Sequence, residues 1–139
     1  DGPDRLPLPE AATRLVDSLR TGRDIGVRAR IDLAVPVDDA TASTVLSVLT
    51  ETILNAASHA PGKPIAVELD SDASDLRLTV ANPTSPSDAG RREGTGYGLI
   101  GAAERAGLLG GTFDTRRIGN GDWTATLRLP LRPMPTETS

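Results

Sequence analysis

The most regular apolar pattern in the chain runs from Val45 to Ala57. Val45, Leu46, Leu49, Ile53, Ala56 and Ala57 recur at helical spacing, which predicts an amphipathic helix with one buried side. Glu51, Asn55 and His59 stand four residues apart on the other side. Residues so spaced lie one above the other, so a carboxylate, an amide and an imidazole share one face. Asp38 or Asp39 supplies the N-cap, and Pro61-Gly62 ends the helix just after His59.

Around this helix the pattern changes period. Asp1 to Pro9 is proline-rich and reads as a linker, and Glu10–Arg20 reads as a short helix with Leu15, Val16 and Leu19 on one side and Thr21-Gly22 at its end. Val27–Leu33, Ile65–Leu69, Leu76–Val80 and Trp123–Leu129 alternate apolar and polar residues, as half-buried strands do, and Thr112–Arg116 reads as a fifth strand. Ser71–Asp75 and Gly119–Gly121 are turns, so these strands predict two hairpins. Asn82–Glu93 reads as a lid-like surface loop. It leads into a helix from Leu99 to Leu109, in which Ile100, Ala103 and Leu108 face a core, and Gly110-Gly111 ends that helix. Few strands are joined by the helical crossovers that a parallel sheet needs. The expectation is a two-layer α/β sandwich with a mixed, mostly antiparallel five-stranded sheet and about three helices on one face. One domain spans residues 10–132, and 133–139 form a disordered tail.

Composition narrows the possibilities. The chain has 139 residues, enough for one core. With one Phe, one Trp and one Tyr, that core must be aliphatic. A net charge of -4 without a long basic run argues against nucleic acid as a partner. The absence of Cys excludes a disulfide framework. No apolar run is long enough to span a membrane. The only Met is Met134, which suggests a piece of a longer protein.

Two stretches offer chemistry. The amide of Asn55 is a weak choice for a helix interior, but its oxygen can ligate a hard cation such as Mg²⁺. Gly94, Gly96 and Gly98 alternate where a loop meets a helix, with Thr95 as a further donor. Free N–H groups and the helix dipole make such a junction an anion site. No Gly-Lys-Ser/Thr follows, so this is not a P-loop. No strand leads directly into it, so it is not a dinucleotide fingerprint.

Taken together, these stretches resemble a known family. Glu51-x-x-x-Asn55-x-x-x-His59-Ala60, then a hairpin, a loop and Gly94-Thr-Gly-Tyr-Gly-Leu99 resemble the N-box and second glycine box of the ATP-binding catalytic domain of sensor histidine kinases. That domain shares the Bergerat fold with the gyrase, heat-shock chaperone and mismatch-repair ATPases. Gly98-Leu-x-Gly101-x-x-Glu104-Arg105, closed by Leu109-Gly-Gly111, is similar to the NarL-partnered branch. The resemblance covers roughly Val27 to Leu131.

The resemblance implies the following roles. Asn55 is the Mg²⁺ ligand, and Glu51 is the catalytic acid that orients a metal-bound water or the attacking group. His59 is a phosphate-side or a structural residue and is not the phosphoacceptor. Gly94, Thr95, Gly96, Tyr97, Gly98 and Leu99 bind ATP. Asn82 stands where the family has an adenine-binding Asp, and Thr124 matches a threonine near the adenine. The sequence departs from the family in two places: Val80-Ala-Asn82-Pro83 replaces the usual Asp-x-Gly-x-Gly, and Ser58 stands where a basic residue often precedes the His. Arg91 and Arg92 read as solvated loop charges rather than as phosphate ligands. The implied cofactors are ATP and Mg²⁺. The implied partners are a dimerisation domain that carries the phosphoacceptor His and a downstream response regulator, on the cytoplasmic side, whether or not the parent is membrane-anchored. A degenerate regulatory module of the same fold and an anti-sigma-factor serine kinase are the alternative readings.

Overall fold

The computed structural model describes residues 7–22, 26–59, 64–82, 96–118 and 122–131. In chain order the elements are α1 (Leu8–Gly22), β1 (Val27–Asp32), α2 (Asp39–His59), β2 (Ile65–Ser71), β3 (Asp75–Asn82), α3 (Gly96–Leu108), β4 (Thr112–Ile118) and β5 (Asp122–Pro130). The strands form one sheet in the order β1-β2-β3-β5-β4. Its single parallel pair is β1 with β2, the pair joined through α2, as a parallel connection requires. The other three pairs are antiparallel. The mixed, mostly antiparallel sheet and three helices expected from the sequence are present.

Alternation explains the two layers. Ile65, Val67 and Leu69 of β2, Leu76, Leu78 and Val80 of β3, and Ala125, Leu127 and Leu129 of β5 are all buried. They are in register across the sheet, with Val67 opposite Val80 and Leu78 opposite Leu127. On this face lies α2, which touches β2, β3 and β5, with α1 and α3 packed on its flanks. Val45, Val48, Leu49, Ile53 and Ala56 carry the buried side of α2, joined by Thr52, whose hydroxyl donates to Val48 O at 2.8 Å and so needs no water. Asp38 is the N-cap of α2: its Oδ1 accepts from Thr41 N at 2.8 Å.

The structure corrects three local expectations. First, α1 begins at Leu8, so Leu8 and Pro9 belong to the domain and not to a linker. Proline is tolerated in a first helical turn, where the N–H groups are unpaired anyway, and Leu8 is buried with Ala12, Val16 and Leu19. Second, α3 begins at Gly96 rather than Leu99, so two of the glycines lie in its first turn; glycine's low helix propensity is a weak prior that tertiary context overrides. Third, α3 buries Ala102 and Ala106, not Ala103 and Leu108; Leu108 is 83% exposed. Small residues four apart let α3 approach its neighbours closely, and the large side chain is left outside.

The close of α3 follows from its two last glycines. Gly111 N donates to Ala106 O at 2.8 Å and Gly110 N to Gly107 O at 3.0 Å, the bond pair of a Schellman cap. Gly110 takes φ 82°, where a side chain is strained. At Gly111 the reason is space: a Cβ would lie 2.1 Å from Arg128 O. Among the described residues no helix is long and apolar enough to cross a membrane.

Candidate functional site

The polar face of α2 is where the expected site residues gather. Glu51 and Asn55 are both half-buried, one helical turn apart. Their position follows from the helix phase: Val48, Thr52 and Ala56 face the core, which turns Glu51 and Asn55 toward the flank. His59 is the last residue of α2, and its side chain lies outside the described part of the structure, as does that of Ser58.

Asn82, at the end of β3, is only 1% exposed. Strand alternation turns it inward below Val80, and its Nδ2 donates to Ala56 O at 3.4 Å. This ties the strand end to the residue that follows Asn55. Ala56 O can only accept, so the amide must present nitrogen to it. That leaves Oδ1 buried with no hydrogen-bond donor among the described residues. An unpaired buried acceptor costs about 1–3 kcal/mol, so this oxygen is suited to a ligand that brings an N–H.

The structure does not bring Thr124 to this place. Asn82 pairs across the sheet with Trp123, and Ala81 pairs with Thr124. Successive strand residues point to opposite faces. Thr124 therefore stands on the outer face, in a hollow shared with Asp114, Arg116, Thr126 and Arg128. The inward residue beside Asn82 is Trp123, half-buried and packed on the core. The sequence held a signal for it, since it is the only Trp and starts an alternating strand, but only the β3–β5 register identifies it.

A second residue, named in the motif but given no role there, is Arg105. Its Nη2 donates to Glu51 Oε1 at 2.8 Å, bridging α3 and α2. Each side chain is 35% exposed, and pairs so open to solvent contribute about 0–1 kcal/mol. Arg105 Nε is buried without an acceptor among the described residues, which offsets that gain. Gly101 lies one turn before Arg105, and a Cβ there would stand 3.2 Å from Nη1. Glycine inside a helix costs about 1 kcal/mol relative to Ala. Stability therefore does not account for the Gly101–Arg105 pair.

Gly96, Tyr97, Gly98 and Leu99 form the first turn of α3, whose leading N–H groups have no partner within the helix. Gly94, Thr95, Arg91, Arg92 and the expected lid up to Glu93 lie outside the described residues, as do the Pro61-Gly62 helix stop, the Gly119–Gly121 turn and the tail.

No family model matches this sequence, and no curated protein does. Solved structures do match. The mycobacterial sensor histidine kinase MprB superposes with a TM-score of 0.65 at 19% identity, over 93% of this chain and 99% of that chain. The histidine kinase domain of the blue-light activated histidine kinase EL346 from Erythrobacter litoralis gives 0.67 at 23% identity, over 91% of this chain and 66% of that one. The nucleotide-free catalytic domain of the histidine kinase ThkA gives 0.63 at 18% identity, over 91% of this chain and 94% of that chain. The chain thus has the fold of histidine kinase catalytic domains.

Proposed function

We propose that this chain is the Mg-ATP-binding catalytic domain of a sensor histidine kinase, of the NarL-partnered branch. In this reading it donates to a His on a separate dimerisation domain, for relay to a response regulator, on the cytoplasmic side. The observation that carries the reading is the buried, donorless Oδ1 of Asn82, fixed to α2 beside Asn55. An exocyclic amino group such as that of adenine is the kind of donor it lacks. The fold likeness and the residues at the N-box and second glycine box support the same reading.

The donor set suits the cofactors. Asn55 offers a hard amide oxygen to Mg²⁺, which retains water and phosphate ligands beyond those that protein supplies. ATP supplies the γ-phosphoryl group when bound. Glu51, one turn away, orients the attacking group or a metal-bound water. The first-turn amides of α3, with Gly94 and Thr95 ahead of them and His59 at the end of α2, hold phosphate charge. Trp123, rather than Thr124, flanks the base beside Asn82. Catalysis of this kind rests on positioning and electrostatics.

The test is calorimetric titration of the chain with a non-hydrolysable ATP analogue, with and without Mg²⁺, beside Asn55→Ala. Mg-dependent binding, weakened at least about tenfold by Asn55→Ala, is expected, because a lost hard ligand to a phosphate-bound metal is worth more than one ordinary hydrogen bond. No binding at millimolar nucleotide would overturn this reading in favour of a regulatory module of the same fold.

A further inference from the structure

Long side chains on a helix lean back toward its N-terminus, over the residue four positions earlier. For Arg105 that residue is Gly101, which has no side chain to obstruct it. The guanidinium uses that room to reach Glu51 on the neighbouring helix. It does so with its Nε buried and unpaired. Two features unfavourable to stability, a glycine inside a helix and an orphan donor, converge on one outcome: a fixed positive group on Glu51. An apolar pair would join the two helices without either. The function of the arrangement therefore lies at Glu51 itself.

Glu51 stands one turn before Asn55 on the half-buried face. A bare carboxylate there would repel a polyphosphate, and partial burial would strengthen the repulsion. We propose that Arg105 is a positioning residue for the polyphosphate ligand: it holds Glu51 in place and cancels its charge, and Gly101 exists to admit it. This rests on the nucleotide reading above. Arg105 needs no contact with the ligand to act in this way.

The experiment is titration of the whole chain with Mg²⁺ and a non-hydrolysable ATP analogue, at low and high salt, with thermal unfolding of each variant alongside. Arg105→Ala should weaken binding about tenfold at low salt and much less at high salt, since screening removes the exposed part of the repulsion. Adding Glu51→Gln to Arg105→Ala should recover most of that loss, because the unneutralised charge is gone. Gly101→Ala should also weaken binding, by displacing the guanidinium, yet should not lower the thermal midpoint. This second variant carries the test if Arg105→Ala fails to fold. A purely structural pair predicts otherwise: no rescue by Glu51→Gln, no salt dependence, and affinity that falls only as stability falls. Any of these results, or variants that bind within about twofold of the parent, would overturn the proposal while leaving the nucleotide reading intact. If the unaltered chain binds no nucleotide, the nucleotide reading fails and this inference fails with it.

Discussion

At the scale of single residues, Asn82 shows how a strand end can carry an unpaired acceptor into the fold. Alternation places it on the buried face, where an aliphatic residue would be the stable choice, and its oxygen is left without a donor. Replacing Asn82 by an apolar residue of similar shape removes the orphan oxygen and also the long 3.4 Å bond to Ala56 O, and the gain from the first offsets the loss of the second. Asn82→Leu should therefore leave the thermal midpoint unchanged or raised, while nucleotide affinity falls at least about tenfold, the loss expected for one buried hydrogen bond. Trp123, its cross-strand neighbour and the only Trp, gives an independent readout. Its fluorescence should change on nucleotide binding in the parent chain, and a signal that stays flat while calorimetry shows binding would count against the placement of the base. Asp72 governs a different property. Its Oδ1 accepts from Asp75 N at 2.8 Å and Ser74 N at 2.7 Å, closing the β2–β3 turn. The bonds from Asp75 and then Ser74 lower its pKa below the ordinary value. A lowered carboxylate pKa contributes stability above the unfolded pKa, and the contribution is lost as pH falls through the folded one. Asp72→Asn keeps the acceptor and loses the charge. It should be less stable than the parent at neutral pH, and the gap in urea midpoint should close below about pH 4. An equal gap at both ends of that range would show that charge is not the cause.

At the scale of elements, α3 shows what a short motif encodes. Gly101, Arg105, Gly110 and Gly111 are parts of one device: the first two aim a guanidinium at α2, and the last two stop the helix and bring the chain onto β5. Gly111 meets backbone, which cannot move aside as a side-chain tip can. Gly111→Ala should destabilise the chain by about 2–4 kcal/mol, in the range of severe overpacking. Gly107, with nothing within 4 Å of its would-be Cβ, is the control. Gly107→Ala should stabilise by up to about 1 kcal/mol through helix propensity. Chemical denaturation of the two variants measures both, and equal effects would contradict the close approach at Gly111. The same helix shows where periodicity misleads. Its apolar residues are frequent enough to fit more than one phase, and Leu108 looks like core by composition. The close approach of α3 selects the phase that buries Ala102 and Ala106.

At the scale of the whole molecule, the site is a consequence of layering. The sheet covers its aliphatic face with α2, and α2 is flanked on both sides, so only a strip of its polar face stays accessible. Glu51 and Asn55 occupy that strip, Arg105 reaches it from the side, and Asn82 is bonded to α2 from beneath at Ala56 O. β2 separates α2 from β3 and α3 in the chain, so only the fold brings Glu51 and Asn55 near the other two. The β1–α2–β2 crossover places the helix over the sheet, and insertion of β5 between β3 and β4 sets Trp123 beside Asn82.

The sequence by itself determined the elements, the two hairpins, the layer architecture and the polar face of α2. Each of these rests on a period of two or of about four residues, or on a proline or glycine stop, all of which are local. It also placed Asn82 at a strand end, because a strand closed by proline is visible without coordinates. Tertiary structure alone decided the rest: the phase of α3, the outward direction of Thr124, the inward place of Trp123, and the contact of Arg105 with Glu51. Those depend on strand register and on how closely two helices approach. Such quantities are set by packing between residues as far apart as Glu51 and Arg105, and no local pattern carries them.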